Sequence, residues 1–181
     1  MSRKPTSSKA SPKDKEVKAT PSGISHREDP RLEAAQRRLR ESVGQDDTLE
    51  AIREIVTNLL GCEEIGLFTV EQGSSGLLWS FGINPERHRS LESFEESALH
   101  RVLQGEFHVA QMAYEGQADG ENPPLRVFVP IRVGGRTVGV LVMVKLLPQK
   151  LGFDEADITL AKLLSDETGR ALFERNASAN A

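Results

Sequence analysis

Between Leu125 and Leu146 the chain changes its apolar rhythm once. In the first half, Leu125, Val127, Val129, Ile131 and Val133 alternate with Arg126, Phe128, Pro130 and Arg132. A period of two puts the first set on one face of a β-strand and the second set on the other. In the second half, residues 138–144 are apolar throughout apart from Gly139. A strand without a polar side is expected where both faces of a sheet are covered. Only Gly134-Gly135 separates the two runs, and glycine takes the positive φ that primed two-residue turns require. The pattern predicts a β-hairpin near the middle of a sheet. The seven residues 138–144 are too few for a membrane span.

The rest of the chain follows helical and strand periods in turn. Asp29-Pro30 reads as an N-cap followed by proline at the first helical position. Leu32, Ala35, Leu39 and Val43 then fall on one face. Gly44 interrupts, and Asp47 with Glu50 forms a second start in the manner of a capping box. Leu49, Ile52, Val56, Leu59 and Leu60 continue to Gly61, which suits the end of a helix. These residues form two helices or one long bent helix. Residues 64–71 read as a strand, 72–76 as a loose turn and 77–83 as a second strand. In the latter, Leu77, Trp79, Phe81 and Ile83 are expected to share a face. Ser93, with Glu96, is expected to cap a helix whose inner stripe is Phe94, Ala98, Leu99, Val102 and Leu103. Gly105 stops it. Residues 107–110 form a short strand, and the polar loop 114–124 leads to the hairpin. Asp154 is the N-cap of the last helix, with Asp157 in its first turn and Ile158, Ala161, Leu164, Thr168 and Leu172 along one stripe.

Charge divides the 181 residues unevenly. Residues 1–40 carry 11 Lys+Arg against 5 Asp+Glu, whereas the other 141 carry 12 against 22. The acidic balance of the larger part argues against nucleic acid as a partner. Residues 1–28 hold few large apolar side chains and are expected to be disordered, either an inert solubilising tail or a basic docking arm. Residues 29–45 form the N-terminal helix and 46–175 the folded domain, with a frayed tail at 176–181. The single cysteine, Cys62, excludes an intrachain disulfide and suits a reducing compartment. With no secretory segment and no run of 18 apolar residues, a cytoplasmic protein is expected.

Val129-Pro130-Ile131, Gly134 and Val138-Gly139-Val140-Leu141 together resemble the signature hairpin of GAF domains, regulatory domains related in fold to PAS domains. Ala98-Leu99, Val102-Leu103, Gly105-Glu106 and Val109 resemble their short helix, turn and edge strand. Phe153 followed by acids resembles the start of their closing helix. The resemblance covers roughly residues 46–173. It implies an α+β fold: a mostly antiparallel sheet with terminal helices on one face and a short covering helix on the other. It also implies a cavity between the sheet and the covering helix. The lining candidates there are Trp79, Phe81, Phe94, Leu99, Val102, His108 and Phe128, which would equally make a filled core. Dimerisation through the terminal helices is a further implication, with Leu32, Ala35, Leu39 and Val43 as the seam. The alternative is that this helix folds back on its own domain.

The residues exclude most GAF chemistries. Cys62 lies between a helix and the first strand, the wrong place for tetrapyrrole attachment. One cysteine cannot run the thiol–disulfide cycle of the GAF enzymes that reduce free methionine sulfoxide. Gln149-Lys150, Phe153 and Asp154-Glu155 are similar to a cyclic-nucleotide pattern but lack its asparagine and its spacer, so Phe153 is read as an anchor and Asp154 as a cap. His26, His88, His100 and His108 show no ligand spacing, so neither a metal nor a cofactor is expected. Arg126 and Arg132 read as exposed face charges rather than an anion site. The expected function is a non-enzymatic, stand-alone regulatory module, a homodimer acting on a protein partner in trans. The alternative is a sensor of a nucleotide or an apolar metabolite.

Overall fold

The structure, a computed structural model, describes residues 29–95, 97–111, 125–150 and 152–174. The expected tails, the loop 114–124 and the capping role of Glu96 lie outside the described residues. The elements are α1 (Pro30–Glu41), α2 (Gly44–Asn58), β1 (Cys62–Glu71), β2 (Ser74–Phe81), a 3₁₀ turn (Leu91–Ser93), α3 (Ala98–Leu103), β3 (His108–Gln111), β4 (Leu125–Val133), β5 (Arg136–Leu146) and α4 (Glu155–Thr168), which continues as a π-helix (Gly169–Glu174). The strands form one antiparallel sheet in the order β2-β1-β5-β4-β3. Thus β5, the strand without a polar side, lies at the centre. One core joins the sheet to α1, α2 and α4 through Leu39, Ile52, Leu67, Val129, Leu141 and Leu160. A second core lies on the opposite face, under α3, with Phe68, Phe94, Val102, Phe128, Val140 and Val142. This is the expected α+β arrangement.

The alternation in β4 sorts its residues as expected. Val127, Val129 and Ile131 enter the first core and Phe128 the second. Val133 pairs with Arg136 across Gly134 and Gly135, whose φ values of 56° and 79° fit a primed turn. Gln72-Gly73 makes the same tight turn between β1 and β2, where a looser one was expected. β3 covers β4 only as far as Phe128. Beyond it stands Pro130, which has no N–H to present, and its carbonyl already accepts the Ser165 hydroxyl of α4. A proline at an uncovered edge blocks strand addition.

Two helix starts differ from expectation. α2 begins at Gly44 rather than Asp47, with Val43 as a cap that has no side-chain hydrogen bond. Asp47 instead accepts the Val43 N–H at 2.8 Å and pairs with Arg38, which also holds Glu54 at 2.7 Å. These bonds fix a break between two separate helices. Ser93 does not start α3. Its hydroxyl turns back to the Ser90 carbonyl in the 3₁₀ turn, and α3 opens only at Ala98. Leu103, expected inside, is exposed.

The apolar line of α1 is used within the same chain. Ala35 and Leu39 are 0% and 1% exposed and belong to the first core, and Leu32 packs against it. Only Val43, 82% exposed, remains open. The seam proposed from sequence for a second chain is therefore the surface by which α1 joins its own domain. The fold-back alternative describes this helix.

Asp157 fastens three segments. It completes a capping box with Asp154. Its carboxylate, 2% exposed, lies 3.0 Å from Arg31 of α1 and 2.7 Å from Lys150 before α4. Burial would raise its pKa, but Lys150, the Asp154 backbone contact and Arg31 outweigh burial and hold it below the ordinary 3.8. A carboxyl whose pKa is depressed on folding stabilises above the unfolded value and loses that contribution as pH falls through the folded one. Asp157→Asn is thus expected to lower the melting temperature at neutral pH, and the gap from wild type should close as pH falls below 3.8. Melting curves that stay parallel down the acid limb would contradict this.

Candidate functional site: the sheet face under α3

The second core is built from three strands and a short helix. Phe68 of β1 pairs in register with Val140, and Phe128 of β4 with Val142. Gly66 has no side chain to hold the Phe68 ring away: a Cβ there would come 2.8 Å from it. Phe68 meets Phe94 edge to face at 5.8 Å, a favoured aromatic geometry. The three rings are 0–5% exposed and pack together between the sheet and α3. Leu99 packs against them, and Val102 is fully buried.

A polar rim surrounds these rings. His88 stacks on Phe94 at 4.1 Å and 10°, and its Nδ1 is 3.2 Å from the Ser93 hydroxyl. Burial lowers its pKa, and Arg87 and Arg126 add to the effect. Arg126 lies over the same ring, 5.8 Å from the Phe94 centre, and donates to the Phe94 carbonyl. His108 of β3 stacks on Phe128 at 5.7 Å and places Nε2 3.1 Å from Glu95. Burial would raise the Glu95 carboxyl. The Ser97 hydroxyl and His108 outweigh it and hold that carboxyl below its usual range. The rim thus combines a guanidinium, two imidazoles and a carboxylate around an aromatic floor.

The seven residues expected to line a pocket fall into two groups. Phe94, Leu99, Val102, His108 and Phe128 meet under α3. Trp79 and Phe81 do not. Trp79 packs against the terminal-helix core, and Arg53 of α2 lies 5.2 Å over the Phe81 ring. A bulge explains the difference. Phe68 pairs with Leu77 but Leu67 pairs with Trp79, so Leu78 is an extra residue and the alternation inverts there. Leu77 consequently faces the second core, as does Ile83 after Gly82 with φ 75°. Sequence reasoning missed Phe68, which the plain run 64–71 did not distinguish from Leu67. It also missed Glu95 and His88, and read Arg126 as an outward charge. No local sequence signal sets Arg126 beside Phe94, 32 residues away.

Thiol chemistry finds no footing. Cys62 is fully buried in the terminal-helix core, away from α3, and burial pushes its thiol up to about 12. Lys150 lies 5.1 Å over the Phe153 ring and binds Asp157, so the segment similar to a cyclic-nucleotide motif anchors α4. Among the described residues no group of three His, Cys, Asp or Glu side chains is placed to hold a metal ion. Among them, too, no helix is long and apolar enough to cross a membrane.

This five-stranded antiparallel sheet, with helices behind and a short covering helix in front, is the fold of solved GAF domains. The sequence profile of the GAF domain matches residues 42–172, and the chain belongs to that family. Among solved structures it is similar to the GAF domain of an Acinetobacter phosphoenolpyruvate-protein phosphotransferase, with TM-score 0.62, 21% identity, and coverage of 82% of this chain and 93% of that one. It is also similar to the A. aeolicus nlh2 GAF domain in an inactive state, with TM-score 0.58, 15% identity, and coverage of 81% and 95%. A third similar structure is a type II free methionine-R-sulfoxide reductase from Thermoplasma acidophilum, with TM-score 0.53, 15% identity, and coverage of 80% and 96%. No curated protein matches the sequence.

Proposed function

We propose that this GAF domain is a non-enzymatic regulatory module whose output is contact with a protein partner in trans. The observation that carries this reading is the packed core under α3. Phe68, Phe94 and Phe128 are buried there and pack with Val102, Val140 and Val142. The buried, high-pKa Cys62 speaks against the chemistry named for the Thermoplasma relative, because the thiolate is the reactive form. A second copy of the chain, where one binds, would use surfaces other than the buried line of α1.

One observation favours a second reading, a small-molecule sensor. The rim of Arg126, His88, His108 and Glu95 supplies charges and ring faces at the mouth of the same region. Native mass spectrometry of the purified full chain separates the two readings. The partner-docking module is expected to give the mass of the chain or its multiples. A retained small molecule that leaves on denaturation would replace it by the sensor.

A further inference from the structure

Beyond the end of β3, the outer edge of β4 borders a groove of about 360 Å³. It opens on the terminal-helix side of the sheet, away from Phe94 and the rim under α3: two of its apolar walls, Val129 and Phe107, pack with the terminal-helix core. Pro130 completes the floor, and α4 supplies Lys162 and Asp166. Arg132 reaches in from the strand. Its Nη2 donates to the Gly105 carbonyl, tight against a left-handed glycine where a Cβ would come within 3.0 Å. That bond uses one of the five guanidinium donors.

The side chains of Lys162 and Asp166 make no hydrogen bond or ion pair among the described residues, although they stand one helical turn apart. Residues at that spacing are within reach of each other. Here both line the groove instead, with Arg132 facing them. Two cations and one carboxylate around an apolar floor do not suit a simple anion, which would meet Asp166. They do not suit a simple cation, which would meet Arg132 and Lys162.

We infer that this groove binds a small zwitterion with an apolar stem, the chemistry of a free apolar α-amino acid. Its carboxylate takes Arg132 and Lys162, its ammonium takes Asp166, and its stem lies on Phe107, Val129 and Pro130. The volume is at the low end for small-molecule sites, which suits one amino acid rather than a peptide. The site is separate from the space under α3, so it does not rest on the partner-docking reading and that reading can fail without it.

Amide NMR titration of the full chain tests it with L-leucine, isoamylamine and isocaproate, which share the stem but differ in charge. Leucine is expected to shift amides near Gly105, Arg132 and Asp166, with a dissociation constant on the order of 1 mM. Each analogue, lacking one charged contact, should bind at least about tenfold more weakly. In Asp166→Asn, an exposed position where folding is not at stake, leucine and isocaproate should bind equally. Equal binding of the two by wild type would overturn the inference. So would shifts confined to the residues under α3, or no shift at about 20 mM leucine, well above the expected constant.

Discussion

Val140→Asp is expected to leave no folded domain. Val140 is fully buried in β5, the middle strand, between Phe68 of β1 and Pro130 of β4. Its neighbours in the second core are Phe94, Val102, Phe128 and Val142, none of which can balance a charge. An isolated ionised carboxylate in such a place costs more than the roughly 5–15 kcal/mol by which an ordinary domain is stable. Val140→Thr keeps the shape and adds only a hydroxyl, so it should remain folded and lose about 1–3 kcal/mol. Urea denaturation followed by far-ultraviolet circular dichroism reads both. An aspartate variant that unfolds cooperatively at the wild-type midpoint would remove β5 from the centre of the sheet.

Changes in the apolar line of α1 should act on stability rather than on association. Leu39 is 1% exposed and packs in the core shared with α2, α4 and the sheet. Leu39→Ala should therefore cost about 2–5 kcal/mol, the removed contacts plus the cavity left behind. Leu32→Glu and Leu39→Glu together should unfold the domain, because the second charge would be buried without a partner. Were the line a seam between chains, the double variant would be a folded monomer and the stability of wild type would rise with protein concentration. Denaturation at two concentrations, with light scattering on both proteins, distinguishes the outcomes. A folded double variant would take α1 out of the core.

Much of the candidate site was legible one residue at a time, and the failures share a cause. Phe94, Leu99, Val102, His108 and Phe128 are named through the family resemblance, and the structure brings them together under α3. Trp79 and Phe81 were assigned by strand alternation, which holds only while pairing is regular. A bulge at Leu78 is decided by how β2 meets β1, and nothing in the residues of β2 alone marks it. Arg126 was unreadable for a related reason. A charged residue on an alternating strand is ordinarily solvent-facing, and only the approach of the 3₁₀ turn brings Phe94 beneath it.

The sequence by itself determined the local devices. The Gly134-Gly135 turn, the Asp154–Asp157 capping box and the two-sided apolar run of β5 each need only neighbours along the chain or a covered sheet. The family was legible as a resemblance in the hairpin, in Ala98 to Val109 and in Phe153 with its acids, and the GAF profile matches residues 42–172. Tertiary structure alone decided which surface each apolar stripe would meet. The stripe of α1 suits a second helix in another molecule or α4 in its own, since an apolar face states what it avoids, water, and not what it meets. Asp157, Arg31 and Lys150 settle that choice. Arg31 and Asp157 lie 126 residues apart in sequence, and their pairing exists only once α1 has docked beside α4.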